Sequence, residues 1–160
     1  MKLVILFFCL FCFFSSCKCK KSITENTAVN SQESTVLLQK DILPNIIYQE
    51  TARGSLRKIS ISEGTIYVVS AQGAKPVYWM LNKADNQNLL ELFQKIDLDK
   101  INTLKSPTEK RFYDGAPIAN LTFSTKKNTY ISSDFDGGFP PKEINAFVNA
   151  LIEIAEKLNN

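Results

Sequence analysis

The sequence predicts a two-layer α+β sandwich, an antiparallel sheet of about five strands with two helices on one face. Three observations predict it. Apolar and polar residues alternate in short stretches between Ile42 and Met80, and again between Ala119 and Phe135. Two other stretches, ending at Ile96 and Leu158, carry apolar residues at helical spacing. Turn residues such as Glu63-Gly64 and Lys126-Lys127-Asn128 punctuate the strands. Strands in runs, each run followed by a helix, belong to α+β folds.

The elements follow in order. Apolar patterning starts at Val36 to Leu38, and Ile42 to Tyr48 reads as a strand entering the sheet. Leu56, Ile59 and Ile61 mark a strand, and Ile66 to Val69 its hairpin partner, with Gly64 in the turn. Val77-Tyr78-Trp79-Met80 reads as another strand. Leu89, Leu92, Phe93 and Ile96 then recur at helical spacing, with Asn82 or Asp85 as the cap. Asp97 to Asp99 ends this helix, and Ile101 and Leu104 tuck a short turn into the core. Lys105 to Pro117 has no period and reads as a long irregular segment. Ala119, Leu121 and Phe123 share one face of a strand, and Tyr130 to Phe135 returns. Pro140-Pro141-Lys142-Glu143 starts a helix, because proline tolerates the first turn. Its apolar stripe is Ile144, Phe147, Val148, Leu151, Ala155 and Leu158. The expected order is β-β-β-α-β-β-α, with three or four strands ahead of the first helix.

Ahead of the domain the chain has another character. Lys2 precedes an apolar run from Leu3 to Phe14. Those twelve residues make a helix of about 18 Å, short of the roughly 30 Å hydrocarbon core of a bilayer. A positive start, a short apolar run and small residues at its end describe a signal peptide, here residues 1–16. Phe14-Ser15-Ser16-Cys17 resembles the lipobox of bacterial lipoproteins. That resemblance makes Cys17 the expected lipid carrier and the membrane the expected partner. Lys18 stands where an inner-membrane retention aspartate is usual, so a cell with two membranes is expected to hold the chain in its outer one. Residues 18–35 are polar and read as a tether with a mean reach of roughly 20–25 Å. The domain is expected to occupy residues 36–160.

Composition excludes several chemistries. All four cysteines fall by residue 19, so the expected domain has no disulfide and no thiolate metal site, and only Cys19 remains as a free thiol after processing. The chain has no histidine, which removes Ser-His and Cys-His catalysis and histidine-ligated metals. A net charge of +3 on 160 residues, with the charges interspersed, does not suggest a nucleic-acid binder.

From Tyr48 onward, roughly two thirds of the chain is similar to a group of small lipoproteins common in Flavobacteria. The resemblance lies in Thr51-Ala52-Arg53-Gly54, Ile96-Asp97-Leu98, and Ser106-Pro107-Thr108 with Arg111 and Asp114-Gly115-Ala116. It continues in Phe135-Asp136-Gly137-Gly138-Phe139-Pro140-Pro141. In that group a histidine and an asparagine often stand where this chain has Gly137 and Phe139, so no histidine-dependent activity is expected here. The resemblance implies the fold and the address, and no mechanism.

Several constellations compete with plainer readings. Arg111 is expected to pair with Asp136 or Asp134, because its planar fork matches a carboxylate. With Asp114 these residues make either a small polar site or a capping network that closes the sandwich, and the second is the commoner outcome. Asp134-Phe135-Asp136-Gly137-Gly138 resembles the start of a calcium loop but lacks the third ligand and the distal glutamate, so a glycine turn explains it better. Tyr67, Tyr78, Trp79 and Phe139 are candidate contacts for a protein or a sugar. Tyr78 and Trp79 are neighbours in a strand and must point to opposite faces. The leading expectation is a non-enzymatic module that binds an envelope protein or glycan without cofactor or metal. The alternatives are a carboxylate-based hydrolase using Asp114 with Asp134 or Asp136, and a purely structural envelope protein.

Overall fold

The structure is a computed structural model that describes residues 42–157. The expected signal peptide, Cys17, Cys19, the tether, Val36 to Leu38 and Leu158 lie outside the described residues.

Among the described residues, seven strands and two α-helices make an α+β fold. They are β1 (Asn45–Ala52), β2 (Ser55–Ser62), β3 (Thr65–Val69), β4 (Val77–Met80), α1 (Lys83–Gln94), β5 (Ile118–Ser124), β6 (Thr129–Ile131), β7 (Phe135–Asp136) and α2 (Lys142–Glu156). The sheet runs β4-β3-β2-β1-β5-β6, and β7 also pairs with β5. Every pairing is antiparallel. The described chain therefore begins at the sheet's centre and walks to one edge by hairpins. After α1 it adds β5 on the other side of β1.

Alternation sets the two faces. Phe123, Ile46, Ile61, Ile66 and Trp79 form one row across the sheet, and Leu121, Tyr48, Ile59 and Val68 the next. All of these are buried except Trp79, which is partly buried against the core. Phe123 meets Phe93 of α1 at 5.0 Å and Phe147 of α2 at 5.2 Å between ring centroids, so both helices cover this face. The opposite face carries Ile131, Thr122, Ile47, Ser60, Tyr67 and Tyr78 in one cross-strand row. No described element covers it, as is usual for antiparallel sheets with one wet face.

The next row on the helix side turns polar at Glu50 and Arg57. Arg57 Nη2 lies 3.1 Å from Glu156 near the end of α2, and its Nη1 lies 4.0 Å from Glu50. The buried Tyr48 hydroxyl donates to Glu50 Oε1. Burial first, and that hydrogen bond second, push the Tyr48 phenol well above its ordinary range. This cluster closes one end of the core and ties α2 to the sheet.

Local chemistry explains where elements begin and stop. Asn82 Oδ1 accepts the Asp85 amide at 2.8 Å and caps α1. Asp97 Oδ1 accepts the Asp99 amide at 3.2 Å, starting a 3-10 helix over Leu98–Thr103 that buries Ile101. Lys100 bridges back to Asp97 at 2.9 Å, and its hydrogen bond lowers the Asp97 pKa.

The strand count exceeds the expected five because of two local features. Hairpins give each apolar stretch before α1 its own strand, four in all. The return strand expected over Tyr130 to Phe135 also divides into β6 and β7. Between them Ser132 still pairs with β5, its amide donating to Leu121 O at 2.8 Å. Ser133 turns away instead. Its amide donates to Ile101 O at 3.2 Å and its hydroxyl to Leu104 O. Ser133 thus gives up strand pairing to fasten the 3-10 helix to the sheet.

Candidate functional site

The long segment between α1 and β5 is irregular in sequence but fixed in structure. Its anchor is Asp136 in β7, whose side chain is fully buried. Oδ1 accepts from Arg111 Nη1 at 2.9 Å and from the Arg111 amide at 3.1 Å. Oδ2 accepts from the Lys110 amide at 2.6 Å and from the Thr108 hydroxyl. Arg111 Nη1 also donates to Thr108 O at 3.0 Å. Burial works to raise this carboxyl's pKa. The Thr108 hydroxyl, the Arg111 guanidinium and the two backbone amides overcome it, and Asp136 is held well below the usual carboxylate range.

The backbone around Asp136 is shaped for the task. Asp136 to Phe139 form a tight turn, with the Phe139 amide on Asp136 O at 2.8 Å and Gly138 at φ +82°. A Cβ on Gly137 would stand 2.7 Å from Pro117 Cγ, so only glycine lets the two segments meet there. Lys110 Nζ sits 3.9 Å over the Phe139 ring.

Bracing residues 108–111 leads into a short 3-10 helix over Lys110–Tyr113, closed by Asp114 in the left-handed region at φ 58°. Phe112 and Tyr113 stand on it, each 72% exposed. The Arg111 guanidinium lies 4.3 Å from the Phe112 ring centroid. The Tyr113 ring lies against Gly115, where a Cβ would be 2.9 Å from Cε2. Beside this loop opens a cleft of about 800 Å³ between it and the β1–β2 turn. Thr51, Arg53, Arg111, Asp114, Gly115 and Ile118 are among its lining residues. Arg53 and Asp114 approach to 3.6 Å across solvent, with side chains 90% and 81% exposed.

The structure sorts the sequence-derived site residues. It pairs Arg111 with Asp136 and not with Asp134. Asp134 is exposed and instead accepts from Asn120 at 3.4 Å. Asp114 and Arg111 line the cleft, while Asp136 lies beneath the loop. The three aspartates therefore do not share one cleft. Trp79 packs against the core, and its buried indole N–H has no hydrogen-bond partner among the described residues. Tyr78 is on the open face, its ring 5.8 Å from that of Tyr67. Phe139 is exposed at the edge of the braced loop. Phe112 and Tyr113 were not among the sequence candidates. Their signal was position, two large aromatics inside a stretch with no apolar period to bury them.

A second groove, of about 680 Å³, lies at the start of α2 and is lined by Lys95, Asp97, Lys100, Lys105, Lys142 and Glu143, with four other residues. Among the described residues no group of three or more His, Cys, Asp or Glu side chains is placed to hold a metal ion.

The fold and site define an α+β sandwich with one open sheet face and a hydrogen-bonded aromatic loop beside a cleft lined by Arg53, Arg111 and Asp114. No family model, curated protein or solved structure matches the chain.

Proposed function

We propose that this chain is a lipid-anchored lipoprotein of the cell envelope whose domain binds a protein or glycan partner without catalysis. One observation carries the binding half of this reading. A buried carboxylate with four hydrogen-bond donors holds a surface loop rigid, and that loop exposes two adjacent aromatics next to a cleft. Rigid aromatics and arginines are what contact hot spots are made of, since little side-chain freedom is lost when they are covered. A large apolar pair left in water costs solubility unless something uses it.

The anchoring half rests on sequence. Phe14-Ser15-Ser16-Cys17 supplies the lipid attachment, and Lys18 favours the outer membrane over the inner. No helix among the described residues is long and apolar enough to cross a membrane.

The test places a photo-crosslinking residue at Phe112 of the full chain in envelope membranes. A discrete adduct is expected, and it should disappear when Asp136→Asn loosens the loop. Irradiation that yields no adduct from position 112 or 113 in any envelope fraction would remove the support for this surface.

A further inference from the structure

We propose that the free edge of β4 pairs antiparallel with β4 of a second copy of this chain, joining two sheets across a two-fold axis at Trp79. In the sheet β2 and β3 separate β4 from β1 and β5, the strands beside the cleft, so this surface is distinct from the one proposed above.

The ladder fixes which backbone groups face outward. The two-residue turn Glu63-Gly64 closes on Ser62 and Thr65, so Thr65, Tyr67 and Val69 bond to β2, and Ile66 and Val68 to β4. The Leu81 amide donates to Gly64 O at 2.9 Å, which puts Leu81, Trp79 and Val77 on the bonded side of β4. Tyr78 and Met80 therefore turn their N–H and C=O groups away from the sheet. The rings of Tyr67 and Tyr78 agree, at 5.8 Å, because side chains stand closest at non-bonded pairs. Among the described residues no strand pairs with these four groups.

Natural edge strands are guarded by charge, a bulge or a covering element. From Val77 to Leu81 no residue is charged, and Val77, Tyr78 and Met80 are 54%, 67% and 81% exposed. The opposite edge is better kept. Lys126 and Lys127 form the turn before β6, and the 3-10 helix over Leu98–Thr103 packs against that strand. Shortness and Pro76 bound the β4 edge without closing it.

Those bounds select the occupant. Pro76, the next outward position, has no N–H, and on the other side Asn82 caps α1. A strand added here can bond fully at only two residues. With Trp79 opposite the partner's Trp79, Tyr78 faces the partner's Met80 and Met80 faces the partner's Tyr78. All four outward groups of each chain then pair, and Pro76 falls opposite the partner's Asn82, so each stop meets the other. Moving the centre to Tyr78 would set Met80 against the partner's Pro76, which has no amide to offer. The chosen register also lays each Met80 sulfur beside a tyrosine ring, a favourable contact. The same patch serves both copies, as a two-fold interface requires. Strands of four residues make a contact smaller than the roughly 1,200 Å² of stable complexes, so the dimer should dissociate on dilution.

Sedimentation equilibrium of the full chain in density-matched detergent should show monomer and dimer in proportions that follow protein concentration. Met80→Lys sets two like charges at the seam and should raise the dissociation constant about tenfold or more. Met80→Pro removes only an outward N–H and should do the same. Register is read in envelope membranes holding two tagged full chains, both with Cys19→Ser. Tyr78→Cys mixed with Met80→Cys should form a disulfide several-fold faster than either variant alone, or than Tyr78→Cys mixed with Ile131→Cys. A chain that stays monomeric at every concentration overturns the proposal, and so does a dimer that neither Met80 variant weakens. Equal disulfide rates for all these pairs overturn it as well. Faster coupling of Met80→Cys to Ile131→Cys would join unlike edges head to tail, and it too overturns the two-fold pairing. A photo-crosslinker at Met80 should yield an adduct with a second copy. An adduct with another protein in its place would give the edge to a foreign strand and end the proposal.

Discussion

At Asp136 four donors converge on a carboxylate that solvent does not reach. An isolated buried charge is costly, and one satisfied at both oxygens is tolerated. Asp136→Asn keeps the shape, removes the charge and points an amide donor at groups that are already donors. The expected result is a fall in Tm of about 10 °C, read by calorimetry, with loss of the Lys110 and Arg111 amide resonances from their native positions. The pH dependence has a definite sign. The native carboxyl is held below its ordinary value of 3.8. Its contribution is therefore full above that value, declines as pH falls below it, and ends only in strong acid. Wild-type loop resonances should persist through pH 4, where ordinary carboxylates are already half protonated. Loss of the loop between pH 6 and 5 would contradict the assignment.

The elements differ in how far the sequence disclosed them. The α2 stripe was legible because Ile144, Phe147, Val148, Leu151 and Ala155 repeat at helical spacing, and all are buried. The faces of β1, β2, β3 and β5 were legible because their alternation is strict and a one-residue slip would invert them. The break between β6 and β7 was not, since it depends on carbonyls of Ile101 and Leu104 that lie about thirty residues away in sequence. The sequence offers Asp136 and Asp134 alike as partners for Arg111, and the burial that distinguishes Asp136 is hidden in it. An aspartate before two glycines reads as a solvated turn, and only the approach of Pro117 shows otherwise. Packing and capping make separate predictions. Asn82→Ala removes the acceptor for the Asp85 amide and should cost about 1 kcal/mol in urea unfolding. Phe123→Ala empties the space between Phe93 and Phe147 and should cost about 3–5 kcal/mol. If the cap cost as much as the core aromatic, the helices would depend on local propensity and not on the sheet, contrary to the packing described.

For the whole molecule, the fold and its attachment rest on separate chemistry. The described domain holds itself together with apolar rows, the Glu50–Arg57–Glu156 cluster and the Asp136 staple, and it contains no cysteine. Reductant should therefore leave its Tm unchanged. The proposed anchor concerns only Cys17. Two or three acyl chains at about 0.8 kcal/mol per buried methylene make release negligible, whereas a single chain gives only reversible binding. Mass spectrometry of the chain isolated from envelope membranes should find an N-terminal peptide that begins at Cys17 and carries a diacylglyceryl group. Carbonate washing, which strips proteins held by charge, should leave the chain in the pellet. A bare amine and thiol on Cys17 would mean that Lys18, Lys20 and Lys21 at most hold the chain to headgroups. That attachment would weaken steeply with salt, which lipid anchoring would not. A salt titration of the washed membranes therefore separates the two modes of attachment without disturbing the fold.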